Sequence, residues 1–278
     1  MNERIEPPLH KVRYTIYYLV LDVIATLGGW LFLSFYRKNL IYHGSYDFSS
    51  LSEMIFSDTN FYLGAIVIPL IFIFIFAFSD SYREVYRKSR LKELFTTFLQ
   101  CLIAVTIVFF IVVLDDYPYY HYKYLYNVYF SYLGISFSIT YILRLSLMSC
   151  TKKKIKKGKI VFNTLIIGNN SLAEKVYKSI NKDRYDTGQN VIGYVKINGG
   201  EDILKDQLPC LCKLNEIDRI ITEYYVEDAY IVLKPEDYDK ISNVLSNRNI
   251  FDVNLYIVSD VKDIIVTSSV KIHPFSNI

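Results

Sequence analysis

The sequence predicts a helical membrane bundle of four spans followed by a small α/β domain with a parallel sheet. Three observations predict it. Four long apolar segments fill the first 150 residues. Basic residues are distributed unequally between the segments that join them. From Lys159 onward the hydrophobic pattern alternates between strand and helix periods. Hydrophobic residues make up 52% of the 278-residue chain and aromatics 16%, and the excess lies mostly in the first half, so the average conceals two chemistries. The formal charge of +3 does not call for nucleic acid as a partner.

A hydrocarbon core about 30 Å thick needs roughly 20 mostly apolar helical residues. The first candidate span is Tyr14 to Tyr36. The second, Phe61 to Phe78, contains the alternating run Ile71 to Phe76 and an internal Pro69 expected to bend it. A lone strand there would leave its backbone groups unpaired in lipid, so its length argues for a helix. The third is Leu94 to Leu114 and the fourth Tyr126 to Leu147. None shows the polar face that a soluble amphipathic helix needs. Met1 to Arg13 is polar and contains proline, and the apolar run behind it is too long for a signal peptide.

Lys and Arg in short loops set orientation. Fourteen lie before the first span, between the second and third, and after the fourth, against three in the other two loops. The basic side is therefore expected to be cytoplasmic, with both termini inside. Tyr117, Tyr119, Tyr120, Tyr122, Tyr124 and Tyr126 read as an aromatic belt at the outer interface. Within the spans, Asp22 is expected to face the bundle and bond to a neighbouring helix, while Arg144 is expected to snorkel to the headgroups. The segment Ser81 to Leu94 reads as a helix lying on the membrane surface, with Tyr82, Val85 and Tyr86 on one face and Arg83, Arg87 and Arg90 on another. Lys152 to Lys159 reads as a second contact with anionic lipid.

In the second half, residues 151–159 form a basic linker and 160–278 the α/β domain. Ile160 to Ile167 is a β-branched run, and Leu172, Val176 and Ile180 mark a helix after the turn Gly168-Asn169-Asn170-Ser171. Val191 to Val195 predicts a second strand; Leu214, Ile217, Ile221 and Tyr224 a second helix. Ala229 to Leu233 predicts a third strand, Pro235 through Leu245 a third helix, and Val253 to Val258 a further strand. This alternation implies a doubly wound sheet.

Gly168, Asn169, Asn170 and Ser171 are the candidate ligand-binding residues, because a phosphate sits on the amides at the first β-to-α turn. Only the ends of G-x-G-x-x-G/A fit: Asn170 replaces the middle glycine, where it is able to adopt positive φ but crowds a pyrophosphate. Lys196 and Asn198 stand where a ribose-binding carboxylate belongs. NAD is not expected, no cofactor is assigned, and the turn reads as vestigial or as serving a different phosphate-bearing ligand. Cys101, Cys150, Cys210 and Cys212 read as reduced thiols. With the four histidines scattered, no metal site is expected.

Together these features resemble the N-terminal half of the bacterial polyprenyl glycosylphosphotransferases, membrane enzymes that transfer a sugar 1-phosphate to undecaprenyl phosphate. The resemblance rests on Ser81 to Leu94, similar to that family's Y-R-x-x-x-x-x-S-x-x-E-type loop. It rests also on Leu165 to Asn169 and Val191 to Val195, similar to strands of its CoA-binding-like domain, and on Val270 to Pro274, similar to its connector. It implies a multi-pass protein of the bacterial inner membrane, in contact with membrane lipid, homo-oligomeric and without a nucleic-acid partner. It implies a part in starting exopolysaccharide, capsule or O-antigen synthesis. Undecaprenyl phosphate and UDP-sugar would be engaged through a catalytic domain. The family's re-entrant helix, basic stretch and Asp-Glu pair have no counterpart up to Ile278, so no catalytic residue is assigned, and Ile278 is expected not to be a natural end. Two alternatives are the N-terminal part of a membrane-bound nucleotide-sugar dehydratase or epimerase, and a stand-alone membrane-anchored ligand-binding protein.

Overall fold

A computed structural model describes residues 9–42, 47–83, 85–113, 122–197, 203–213, 216–232 and 253–258. Leu9–Lys152 form one compact unit and the residues from Lys153 another. The first unit contains α1 (Leu9–Ile41), a short α2 (Phe48–Phe56), α3 (Thr59–Phe78) and α4 (Arg90–Val108), which a π-helical turn, Phe109–Val113, extends. The last helix, α5 (Tyr122–Lys156), runs on into the second unit. Four of these helices are long and apolar enough to cross a membrane. They overrun the predicted spans at most ends, because the flanking polar residues continue the helix past the apolar window.

The bundle is apolar on its outer faces and through much of its interior. Its interior packs Trp30 and Leu33 of α1 with Phe72 and Phe76 of α3, Ala104, Val105 and Val108 of α4, and Val128 and Tyr132 of α5. Its outer faces display Ile16, Val20, Ile24 and Leu31 on α1, and Leu63, Ile66, Leu70, Phe74 and Phe78 on α3. Lipid solvates such a surface, whereas water would penalise it at roughly 25 cal/mol per Å². Trp30 is anchored by donating its indole N–H to the Phe61 carbonyl at 3.0 Å. It fits because position 64 is glycine: a Cβ there would stand 2.3 Å from the indole ring.

Two readings of this half are corrected. Ser81 to Leu94 is not a surface helix. Val85–Arg87 form a single 3-10 turn, with Val85 and Tyr86 buried, and α4 starts only at Arg90. The packing of Tyr82, Val85 and Tyr86 inward prevents a helix lying flat on the interface. Nor are the spans without a polar side. Glu93, Thr97 and Gln100 recur at i, i+4 and i+7 on α4 and point into the bundle.

The second unit holds β1 (Phe162–Ile167), α6 (Ser171–Lys182), α7 (Arg184–Thr187), β2 (Gln189–Lys196), β3 (Cys210–Lys213), α8 (Ile217–Glu223), β4 (Asp228–Ile231) and β5 (Asn254–Ile257). All strand pairs are parallel, in the order β3-β2-β1-β4-β5. Strand β3 has no counterpart in the sequence reading, since Cys-Leu-Cys-Lys is too short to carry a period. The helix expected from Pro235 to Leu245, Asn198, the belt tyrosines Tyr117, Tyr119 and Tyr120 and the connector around His273 lie outside the described residues.

Alternation along β1 gives the sheet two cores. Leu165 and Ile167 pack with Val195, Ile217, Ile220 and Ile221 on one face. Ile166 packs with Ala173, Tyr194, Leu204, Leu208 and Val232 on the other. Leu172 and Val176 of the predicted α6 face join this second layer, and Ile180 is buried on the same helix.

Candidate functional site

The most concentrated chemistry lies inside the bundle. One turn apart on α1, Tyr18 and Asp22 share a face with Thr26. From α4 come Glu93, Thr97 and Gln100, from α5 Arg144, and from the segment between α3 and α4 Ser81, Tyr82 and Lys88. Arg144 is 0% exposed, Asp22 1% and Glu93 3%. The expectation that Arg144 snorkels is thus overturned. Its guanidinium donates from Nε to Asp22 Oδ1 and from Nη2 to Asp22 Oδ2, both at 2.8 Å. From Nη1 it reaches Glu93 Oε1 at 3.0 Å, Thr97 Oγ1 at 3.0 Å and Gln100 Oε1 at 3.1 Å. Two facing carboxylates and a complete set of acceptors hold the group more tightly than a headgroup layer would. Its plane also lies 4.3 Å from the Phe76 ring centroid and 4.8 Å from that of Tyr18. Asp22 faces the bundle, as its position in the span implied.

A second cation completes the balance. Lys88 Nζ pairs with Glu93 Oε2 at 2.9 Å, donates to the Tyr18 hydroxyl at 3.2 Å and lies 4.6 Å from that ring's centroid. Tyr18 in turn donates to Glu93 Oε1. Burial pushes the Lys88 ammonium below the usual lysine range, and the Glu93 carboxylate beside it pulls it back. Burial, reinforced by the Asp22 carboxylate, raises the Tyr82 phenol, which stays protonated. The Gln100 amide nitrogen donates to Ser81 Oγ at 2.6 Å and to Ser79. Two cations against two carboxylates leave no net charge to attract an ion. The arrangement is chemically a clamp that ties α1, α4, α5 and the α3–α4 segment together.

Arg144 heads a buried stripe on α5. Thr140, Ser136 and Tyr132 follow at four-residue spacing, all buried. At Gly29 a Cβ would stand 2.9 Å from Ser136 Oγ, so the glycine lets α1 and α5 approach closely. Sequence reasoning singled out Asp22 and Arg144 separately and missed Glu93, Thr97, Gln100 and Lys88. The i, i+4, i+7 polar row on an otherwise apolar helix was the available signal.

The four candidates at the first β-to-α turn are brought together differently from expectation. The positive φ belongs to Gly168, at +139°, and a Cβ there would stand 2.2 Å from the Val232 carbonyl oxygen. Asn170 has φ −91° and ψ 177° and is the N-cap of α6, so it does not use left-handed backbone. Its Oδ1 accepts from the Ala173 amide at 2.8 Å, and its Nδ2 donates to the Val232 carbonyl at 3.2 Å. Asn169 is buried, and its carbonyl accepts from the Ile203 amide at 3.4 Å. Ser171 opens α6, exposed. One of the amides at this helix end, that of Ala173, is thus capped by the Asn170 side chain. In this strand order, β1 and β4 are the neighbours at which the connections reverse, the switch point where doubly wound sheets bind ligands. Asn170 ties the turn after β1 to the end of β4 there.

Four long apolar helices followed by an α/β domain with an all-parallel five-stranded sheet define a membrane-type bundle joined to a Rossmann-like module. The sequence pattern of a CoA-binding domain family matches residues 81–259, more than half of the chain, and the chain belongs to that family. No curated protein matches the sequence.

Proposed function

We propose that this chain is the membrane and accessory part of an undecaprenyl-phosphate sugar-1-phosphate transferase that starts exopolysaccharide, capsule or O-antigen synthesis. The observation that carries the reading is the span of the CoA-binding family match. It begins at Ser81, in the loop after α3, and runs through α4, α5 and the whole described sheet. The last two of the four long apolar helices and the α/β module thus fall within one family pattern, in the order in which the sequence resembles the N-terminal half of such transferases. In this reading the bundle crosses the cytoplasmic membrane with both ends inside, as the loop charges indicate, and the α/β domain positions, oligomerises or regulates the catalytic unit. The capped α6 terminus supports a scaffolding role over a nucleotide-binding one.

The test uses membranes from cells with and without the gene that encodes this chain, supplied with labelled UDP-sugars. Transfer of sugar phosphate to endogenous polyprenyl lipid is measured by solvent extraction. Disruption is expected to abolish transfer for one UDP-sugar, and the intact gene is expected to restore it. Unchanged transfer for every sugar overturns the proposal.

A further inference from the structure

Helix α2 lies between the end of α1 and the start of α3, in the same compact unit as both. Each of its ends is fixed to one of those helices. At the N-terminal end the Phe48 ring stacks on Phe35 of α1, with centroids 5.2 Å apart. Phe35 is the last but one residue of the first apolar run, which gives way to Arg37 and Lys38. At the C-terminal end Phe56 meets Phe61 of α3 edge-on at 5.4 Å. Phe61 opens the second apolar run, directly after the polar stretch from Ser57 to Asn60. Lys38 Nζ donates to the Met54 carbonyl at 2.8 Å, which satisfies an open carbonyl in the last turn of α2 and ties it to α1. Phe48 and Phe56 are eight residues apart, about 12 Å of helix. Both therefore stand at the level where an apolar run ends, and α2 runs across the end of the bundle instead of projecting from it.

The sides of α2 differ in kind. Leu51 and Ile55 are buried against the bundle. Ser49 and Glu53 are exposed on the opposite side. Between those sides, at 100° per residue, come Phe48, 75% exposed, and Phe56, 47% exposed. Tyr62 of α3, also exposed, donates its hydroxyl to the Phe56 carbonyl at 3.0 Å and shares a face with the outward Ile66 one turn on. The exposed rings are thus continuous with the outer apolar face of α3. An aromatic flank beside a polar side, held where apolar sequence ends, suits the boundary between acyl chains and headgroups. Helix α2 has no Lys or Arg, and Asp47 and Glu53 are acidic, so the attraction is apolar and not to anionic headgroups.

We infer that α2 is an interfacial anchor: it lies in the plane of the membrane–water boundary, with Phe48 and Phe56 among the upper acyl chains of the phospholipid, and fixes the depth of the first helical hairpin. The inference requires that α1 and α3 span the membrane but not that the protein serve a transferase.

The test places single tryptophans in the full chain, reconstituted in phosphatidylcholine nanodiscs. Phe48→Trp, Phe56→Trp and, as a mid-span reference, Leu70→Trp are each combined with Trp30→Phe. A parallel set keeps Trp30 and subtracts its signal, measured in the parent, so that a weakened Trp30→Phe background does not decide the outcome. Quenching is read from lipids brominated high or low on the acyl chain and from aqueous acrylamide. Positions 48 and 56 should lose more fluorescence to the high bromines than to the low ones, and position 70 the reverse. The ranking should be the same when phosphatidylglycerol replaces part of the phosphatidylcholine. Acrylamide quenching without lipid quenching at positions 48 and 56 puts α2 in water and overturns the inference. So does shielding from both quenchers, which marks a covering protein face, and so does lipid quenching that appears only with phosphatidylglycerol. Absence of low-bromine quenching at position 70 overturns the spanning of α3 itself, and the inference with it, and is told apart by that reporter alone.

Discussion

Removing Arg144 from the bundle is the most informative single perturbation. The substitution Arg144→Met keeps the length and apolar volume of the side chain but deletes both bonds to Asp22 and those to Glu93, Thr97 and Gln100. Lys88 still pairs with Glu93, so one buried negative charge, Asp22, is left uncompensated. Breaking a buried ion pair from one side costs about 3–5 kcal/mol, most of it the penalty on the stranded charge. Asp22→Leu alone strands Arg144 against Glu93 and should cost a comparable amount. The double variant Asp22→Leu/Arg144→Met removes one charge of each sign and leaves the Lys88–Glu93 pair neutral. It should lie within about 2 kcal/mol of the parent, far above the sum of the single losses. The chain has a single tryptophan, Trp30, stacked 6.1 Å from Phe61 in the core of the same bundle. Its fluorescence during dodecyl sulfate titration in mixed lipid–detergent micelles reports unfolding. A loss under about 1 kcal/mol for Arg144→Met, or a double variant as unstable as the two singles added, would refute the clamp.

The closed β-to-α turn predicts that Gly168→Ala, which forces a Cβ onto the Val232 carbonyl, costs more than about 2 kcal/mol and exposes β1 and β4 amides to exchange; Asn170→Ala, which loses the cap and the bridge, costs about 1–2 kcal/mol. Equal exchange in parent and variants would count against the packing of this turn on the Val232 carbonyl. Burial pushes the Cys212 thiol up to about 11. Maleimide at pH 7.5 should therefore modify the exposed Cys150 and Cys210 first, with the Cys212 rate rising about tenfold per pH unit until that value; a Cys212 rate flat in pH contradicts it. For orientation, cysteines engineered at Ser45 and His121 should label from outside the cell and those at Ser89 and Lys156 should not. Outside labelling at Ser89, in the loop with five basic residues, would reverse the assigned topology.

The local features of this protein were legible in its sequence because their causes are local. Span existence follows from run length, as for Thr59–Phe78, which the apolar run delimits to within two residues. Strands β1, β2, β4 and β5 follow from β-branched runs, and α6 from Leu172, Val176 and Ile180. The four-residue β3 escaped because no period fits in so short a segment. Pairing was not legible. Arg144 and Asp22 are 122 positions apart and Arg144 and Glu93 are 51 apart, and no local pattern states which helix faces meet. Taken alone, a cation eight residues from a basic run reads as a snorkelling side chain. Only the assembled bundle, which brings two carboxylates to 3 Å or less from its guanidinium, makes burial the lower-energy choice. The same holds at the glycine turn. From sequence, Gly168 and Asn170 read as a weakened phosphate loop. The tertiary structure puts the Val232 carbonyl, 62 residues from Asn170, against both, so that the glycine serves close packing and the asparagine caps the helix.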